Sequence, residues 1–269
     1  MDAKNNIENL VNQVQKNWKY KNIDRDLVKR LSGEALNKGL KGKAVVKSVR
    51  NKLHQVGGAY FKQKVNYDQI KGNIQSLPTD IKSEAVKNFC RQTMQKHVST
   101  AERFPILEAF YRVCLDSITP IESVLDLACG LNPLAIPWMP LAGDFQYYAC
   151  DIYKDMLEMI EVFSDHFNLS VSTQSCDLIG QIPETRVRLA LILKSIPCLE
   201  QVDKAIGRRL MQTINADYML VSFPVSSIAG HDKGMESFYR DHFNDLLAGE
   251  NWAFQEFLFT TEMAFLVSK

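Results

Sequence analysis

Three aspartates in this chain each follow a short apolar run, and their setting suggests shared chemistry. Val124-Leu125-Asp126-Leu127 leads into the small-residue turn Ala128-Cys129-Gly130-Leu131-Asn132-Pro133; the run Phe145–Cys150 ends at Asp151; and Ser170–Ser175 is followed by Cys176-Asp177-Leu178. A turn of small residues at a strand end lets backbone N–H groups approach a ligand closely. A carboxylate at the tip of the next strand lies where a doubly wound sheet binds ribose hydroxyls. The third acid, with Leu178 beside it, offers a carboxylate and an apolar side chain to a nucleoside base. The pattern predicts three acids facing one crevice and a nucleoside-containing cofactor. Gly130 is the one glycine of the Ala128-to-Pro133 turn, so the G-x-G-x-x-G that admits a pyrophosphate is missing. With Asp126 at its base, the turn fits a cofactor bearing a cationic amino acid, and S-adenosyl-L-methionine is the expected cofactor. The carboxylate of that amino acid needs a cation, and candidates lie just upstream of the first strand.

The elements that must position these residues fall into two blocks. Before about residue 95 the apolar residues recur at helical spacing: Ile7, Leu10, Val11, Val14 and Trp18, then Ile23, Leu27, Leu31 and Leu36. A third helix is predicted over Lys43 to Val56, closed by Gly57-Gly58, and two more around Tyr67–Leu77 and Ile81–Met94. After about residue 118, seven short runs rich in β-branched and aromatic residues alternate with helical stretches, which predicts a mainly parallel sheet covered by helices. The last two, Phe254–Phe259 and Met263–Val267, are too close for a parallel crossover and must form an antiparallel hairpin. The expected fold is therefore α/β: a Rossmann-like methyltransferase domain over 96–269, preceded by an α-helical N-terminal domain over 1–95.

The formal charge of +1 conceals a dipole. Residues 1–100 hold 20 Lys and Arg against 8 Asp and Glu, a charge of +12, and the remaining residues carry −11. A basic block on an acidic one calls for a polyanionic partner at the N-terminal end. Lys43, Lys47, Arg50 and His54 would form one stripe of the third helix, with Lys41 and Lys52 nearby, and are the expected RNA-docking residues. Six cysteines, widely spaced and without a C-x-x-C pair, argue against a zinc site and predict free thiols in a reducing cytosol. Neither a membrane span nor a secretory leader is expected, so a cytoplasmic monomer without metal is the simplest reading.

At His97-Val98-Ser99-Thr100-Ala101-Glu102-Arg103 the chain resembles the aminoglycoside-resistance 16S rRNA methyltransferases that modify N7 of guanosine 1405. The likeness recurs at Lys52-Leu53-His54-Gln55 with Tyr60, at Asp126 to Pro133, at Asp151, and at Leu193-Lys194 followed by Pro197-Cys198-Leu199-Glu200. It continues at Ser222-Phe223-Pro224 and at Lys233-Gly234-Met235-Glu236 with Tyr239. The resemblance implies that Arg103 pairs with the methionine carboxylate, with His97, Ser99 and Tyr60 shaping that end. It implies backbone contacts from Ala128 and Gly130, ribose contact from Asp151, and adenine contact from Asp177-Leu178, with Leu193 lining the pocket. Gln201, where many members have Gln-Gln, is the expected polar neighbour of the adenine. Three departures are a lone Asp151 in place of Asp-x-Asp, Gln201-Val202 in place of Gln-Gln, and Thr260-Thr261-Glu262 in place of Gly-Asn-Glu.

Members of that family act on the assembled 30S subunit, which makes its decoding-site helix the expected partner. Guanine N7 carries a lone pair and no proton, so no general base is required and no catalytic dyad is expected; the enzyme's work is positioning. The N7 edge is inaccessible in a regular A-form helix, so the target nucleotide must be distorted or flipped. Lys194, Lys233 and Met235 are the expected contacts to it. Two other functions compete: methylation of another decoding-site base, such as adenine 1408 at N1, and a non-catalytic RNA-binding module.

Overall fold

In a computed structural model of the chain, which describes residues 3–57, 60, 61, 63–225 and 234–269, both blocks take the expected form. Five helices come first: α1 (Ala3–Gln15), α2 (Arg25–Asn37), α3 (Lys43–Val56), α4 (Tyr67–Ile74) and α5 (Glu84–Met94). Their starts follow from capping. Asp24 accepts from the amides of Asp26 and Leu27 ahead of α2, Asn66 from Gln69 ahead of α4, and Ser83 from Val86 ahead of α5. Leu10, Val11 and Val14 of α1, Leu27, Val28 and Leu31 of α2, and Val45, Val49 and Leu53 of α3 are all buried. Each such aliphatic contributes about 1.5–3 kcal/mol on full burial.

Two short helices, α6 (Val98–Arg103) and α7 (Leu107–Leu115), lead into the sheet. Its elements are β1 (Ile121–Leu127), β2 (Leu141–Asp151), α8 (Lys154–His166), β3 (Val171–Ser175), β4 (Val187–Leu193), α9 (Ile196–Leu199), α10 (Ile206–Thr213), β5 (Ala216–Pro224), α11 (Met235–Leu247), β6 (Ala253–Leu258) and β7 (Glu262–Ser268). The seven strands lie in the order β3-β2-β1-β4-β5-β7-β6. The first five are parallel, while β7 runs antiparallel to both β5 and β6. The sequence of β4, Val-Arg-Leu-Ala-Leu-Ile-Leu, is nearly continuous in apolar residues because helices cover both faces of its neighbourhood, and its last five positions are buried. Strand order reverses between β1 and β4, which opens a crevice at their C-terminal ends.

The turn after β1 opens into a 3-10 segment, Asn132–Trp138, because Pro133 and Pro137 remove amide donors from it. One expectation needs correction. Cys150 and Cys176 are not free thiols: they form a disulfide with a Cα separation of 5.7 Å. Parallel pairing sets Cys150 opposite Gln174, and the Cys176 amide donates to the Asp151 carbonyl at 2.9 Å, so the two cysteines meet at adjacent strand ends. The helical block packs directly on the sheet. Its buried aliphatics form one continuous apolar cluster with residues of the sheet and α8, including Tyr147, Met156 and Leu189.

The join is polar as well as apolar at the start of α2. The Asp24 amide donates to the Ile152 carbonyl at 2.9 Å, and Asp24 Oδ2 accepts from Ser175 Oγ at 3.1 Å and pairs with Lys154. Asn22 Nδ2 donates to Asp155 Oδ2. These contacts fix α2 against the very strand ends where Asp151 and Asp177 emerge.

Candidate cofactor site and basic face

A cavity of about 800 Å³, counting its mouth, lies over the C-terminal ends of β1 to β4. Ala128 follows β1, Asp151 ends β2, Asp177 and Leu178 follow β3, and Leu193 and Lys194 close β4; all six line it. The opposite wall comes from the helical block: Leu27, Arg30 and Leu31 of α2, Lys52 and Val56 of α3, and Tyr60. Ala128 at φ 52° and Lys194 at φ 57° hold left-handed backbone conformations that cost a side-chain-bearing residue energy and recur at functional turns. Gly130 has φ 52°, and a Cβ there would meet the His97 ring at 3.0 Å, so both backbone and space require glycine.

Asp151 is 8% exposed. Its Oδ2 accepts from the Gly130 amide at 2.9 Å, and its Oδ1 from the amides of Ile152 at 2.7 Å and Tyr153 at 3.2 Å. A carboxylate has about four lone-pair sites, so these three donors leave one for a ligand hydroxyl. Burial nevertheless raises its pKa, against the pull of those amides. Tyr60 stacks on His97 with ring centroids 5.2 Å apart, and its hydroxyl contacts the Lys194 carbonyl and Cys198 Sγ. Burial, and then the Arg103 charge, push the His97 pKa down to about 4, which leaves a neutral ring that shares a hydrogen bond with Ser99 Oγ. A ribose acceptor, an apolar slot made by Leu178, Leu193 and Leu199, and a polar end at His97 and Ser99 fit the expected S-adenosylmethionine.

Behind that end lies a buried knot of charge. Glu262, wholly enclosed at the start of β7, takes Arg103 Nε at 3.0 Å and Nη2 at 2.7 Å, Lys194 Nζ at 3.3 Å and Ser222 Oγ at 2.5 Å. Lys194 Nζ also reaches Glu102 Oε2 at 3.0 Å. Burial alone would raise the Glu262 pKa, but Arg103 and Lys194 hold it below the usual carboxylate range. Arg103 Nη1 donates to Asn132 Oδ1 at 3.0 Å, Tyr111 donates to the same oxygen, and Asn132 Nδ2 donates to Asp126 Oδ2 at 2.8 Å. Tyr147 completes the chain with a 2.6 Å bond to Asp126, whose pKa burial pushes up to about 6.

The sequence expectations therefore divide. Tyr60, His97, Ser99, Ala128, Asp151, Asp177, Leu178, Leu193 and Lys194 meet at one cavity. Arg103, Asp126, Gly130 and Gln201 do not line it. Asp126 faces Asn132 and Tyr147 within the core, so two of the three strand-end acids, not three, face the crevice. Gln201 is exposed, and Val202 and Leu199 stand at the wall instead, because the helical turn after β4 points Gln201 outward. Lys194 is 4% exposed and doubly ion-paired, so it is not a free arm toward a nucleotide. Met235 opens α11 and is half-buried; Lys233 lies outside the described residues. Sequence reasoning missed Glu262, which a search for an acid to balance a buried Arg103 would have sought, and Arg30, whose position carried no local signal.

The predicted basic stripe is also partly committed to other work. Arg50 Nη2 donates to the Gln13 carbonyl at 2.6 Å at the end of α1, where free carbonyls need donors. Lys52 pairs with Glu34 at 2.8 Å and lines the cavity. Lys41, Lys43, Lys47 and His54 remain exposed. A groove between α1 and α3 brings Lys43 and Lys47 together with Lys16, Asn9, Gln13 and Asn51, and among the described residues no acid lines it.

A mainly parallel seven-stranded sheet ending in an antiparallel pair, with a nucleoside-shaped crevice over its first four strands, defines a Rossmann-like methyltransferase. The chain belongs to the ribosomal RNA methyltransferase (FmrO) family, whose pattern matches residues 16–267. It is 30% identical to the 16S rRNA (guanine(1405)-N(7))-methyltransferase of Serratia marcescens, over 98% of this chain and 99% of that one. It is 29% identical to the enzyme of the same name from Micromonospora rosea, over 98% of this chain and 97% of the other. Among solved structures it is similar to the 16S rRNA methyltransferase RmtF in complex with S-adenosyl-L-homocysteine, at a TM-score of 0.84 and 24% identity, covering 100% of this chain and 99% of that one.

Proposed function

We infer that this chain transfers the methyl group of S-adenosyl-L-methionine to N7 of guanine 1405 of 16S rRNA in the 30S subunit. A methyl group and a positive charge at that position block the hydrogen bonds of 4,6-disubstituted deoxystreptamine aminoglycosides, and resistance to them follows. The observation that carries this reading is the meeting of Asp151, Asp177-Leu178 and the Ala128 turn at one cavity, in a chain of the ribosomal RNA methyltransferase family.

The cofactor, when bound, supplies an electrophilic methyl group on a sulfonium. The residues of this chain bind and orient around it. Asp151 uses its remaining lone pair on the ribose diol, and Asp177 and Leu178 read the adenine. Arg103, enclosed behind the cavity with Glu262 and Asn132, backs the end at which the methionine carboxylate enters beside His97 and Ser99. Guanine N7 has no proton to lose, so orientation is the main contribution, at most about 7–11 kcal/mol. Lys194 holds the wall of the site through Glu102 and Glu262, while Met235 and Lys233 are the contacts assigned to the extruded guanine. Residues 1–95 serve as the docking region and 96–269 as the catalytic region, working as a cytoplasmic monomer without metal. Lys43 and Lys47, joined by Lys16, hold rRNA phosphates.

The test is incubation of 30S subunits with the protein and labelled cofactor, followed by mapping of the modified base. Label on guanine 1405 supports the reading. Label on adenine 1408, methylation of free rRNA in preference to 30S, or binding without any transfer would each overturn it.

A further inference from the structure

The acid at the adenine end of the cavity is held by a residue from outside the catalytic sheet. Arg30 of α2 donates through Nε to Asp177 Oδ2 at 2.6 Å, and its Nη1 is held in turn by Glu34 of the same helix. Glu34 is tied to Lys52 of α3 at 2.8 Å, so the guanidinium is gripped from two helices. Both Arg30 and Asp177 line the cavity. Arg30 Nη2 is buried with no hydrogen-bond partner, which leaves a donor directed by the pair and unused by the protein. On the other side, Asp177 Oδ1 accepts from the Ile179 amide at 3.2 Å. Gly180 leaves room for the pair: a Cβ there would lie 2.9 Å from Asp177 Oδ2 and 3.4 Å from Arg30 Nε. The helix that brings Arg30 in is fixed by its own N-cap, since Asp24 Oδ2 accepts from Ser175 Oγ at the end of β3 and the Asp24 amide donates to the Ile152 carbonyl just past β2.

A carboxylate at the edge of an apolar purine slot can accept a hydrogen bond from the exocyclic amino group of adenine. The same carboxylate repels the 6-oxo group of hypoxanthine, which is an acceptor. Discrimination of this kind requires a fixed carboxylate, because a mobile one turns to water when the purine offers no donor. Salt bridges between exposed groups fix little. This one is partly enclosed, made through a guanidinium itself held by Glu34, and backed by a backbone amide, so the carboxylate has one available orientation.

We propose that Arg30 is a positioning residue for cofactor selection: it fixes Asp177 so that the pocket takes a 6-aminopurine nucleoside and rejects a 6-oxopurine one. The proposal rests on the assignment of Asp177 to the adenine end. It gives the helical block a part in cofactor binding distinct from RNA docking.

The test is calorimetry on the full chain with S-adenosyl-L-homocysteine and S-inosyl-L-homocysteine. The unaltered protein is expected to favour the adenosyl ligand by at least roughly tenfold, as a site built to accept from a substrate N–H does. In Arg30→Met the adenosyl ligand weakens by about tenfold and the inosyl ligand by much less, so the ratio of the two dissociation constants collapses. Arg30→Lys, which keeps the cation, restores part of the ratio. Activity follows the same split: KM for the cofactor rises while kcat at saturating cofactor stays. Equal weakening of both ligands, or an unchanged ratio, overturns the proposal, since a merely structural loss affects both alike. Because a ratio of dissociation constants does not depend on the folded fraction, a less stable variant still decides the question. Asp177→Asn separates the two levels of the argument: if it leaves the ratio unchanged, the adenine assignment itself fails; if it collapses the ratio while Arg30→Met does not, only the role of Arg30 fails.

Discussion

Replacement of Glu262 by Gln keeps the shape of the side chain and removes one charge from a knot that now balances. Arg103 and Lys194 face Glu262 and Glu102, and the first three are at most 4% exposed at the residue level for Arg103, Lys194 and Glu262 alike. Without the Glu262 charge, two enclosed cations share Glu102 alone, and that acid touches only Lys194. Removing one partner of a buried pair costs about 3–5 kcal/mol, because the remaining charge is left uncompensated. For a chain of this size roughly 2–4 °C of melting temperature accompanies each kcal/mol, so Glu262→Gln should melt about 10 °C lower. Urea unfolding and thermal melts measure it. The double variant Glu262→Gln with Arg103→Met removes the stranded cation as well and should recover a good part of the loss. It should not recover S-adenosyl-L-homocysteine binding, because the wall behind His97 and Ser99 would still lack the Arg103–Glu262 pair that backs it. A cost below about 1 kcal/mol for the single change, or full cofactor affinity in the double one, would refute this account of the knot.

The remaining predictions are shorter. Asp151→Asn should weaken S-adenosyl-L-homocysteine by roughly 10–100-fold in calorimetry, since an amide cannot accept from both the backbone amides and a ribose diol. Lys43→Ala with Lys47→Ala should leave that affinity unchanged while lowering the salt slope of 30S binding by about 2, one per lost phosphate contact, as a filter-binding titration against potassium chloride would show. His97 and Asp126 give opposed pH effects. The His97 pKa falls from 6.5 to about 4, so the unfolded chain gains a proton that the folded one refuses, and stability drops as pH falls from 6.5 toward 4, by about 3 kcal/mol in all. Asp126 rises from 3.8 to about 6, so the folded chain keeps a proton that the unfolded one has lost, and stability drops as pH rises through that range by a similar amount. In the unaltered protein the two slopes offset each other between pH 4 and 6. In His97→Gln the loss with rising pH should stand alone, and a flat profile in that variant would count against the raised Asp126 pKa.

What the sequence made legible was the part that periodicity and strand-end chemistry encode. The bounds of α3, all seven strands and the terminal hairpin follow from the spacing of apolar residues, and Asp151, Asp177 and Leu178 follow from their places after strands. The rest depends on which surfaces meet, which spacing does not record. Asp126 looks like its two counterparts in sequence, yet β1 lies inside the sheet between β2 and β4, and its acid turns into a covered network with Asn132 and Tyr147. Arg50 falls on the basic stripe, but α1 ends beside it and its carbonyls take the guanidinium. The cysteine pair, 26 residues apart, is made by the adjacency of β2 and β3. Glu262 sits beyond β6 in a segment whose sequence departs from the expected pattern, although its acid is the residue that neutralises Arg103.

The wall that α2 and α3 give the cavity has a practical consequence for inhibitors. Every enzyme that uses this cofactor must recognise the same ribose, adenine and amino acid, so a ligand that copies only those parts has little means of choosing among them. Here Leu27, Arg30 and Leu31 come from a helix added to the sheet and line the cavity beside Asp177. A compound extended from its base toward that helix, with an acceptor for Arg30 Nη2 and an apolar group against the two leucines, would draw its selectivity from contacts that the cofactor-binding sheet by itself does not offer.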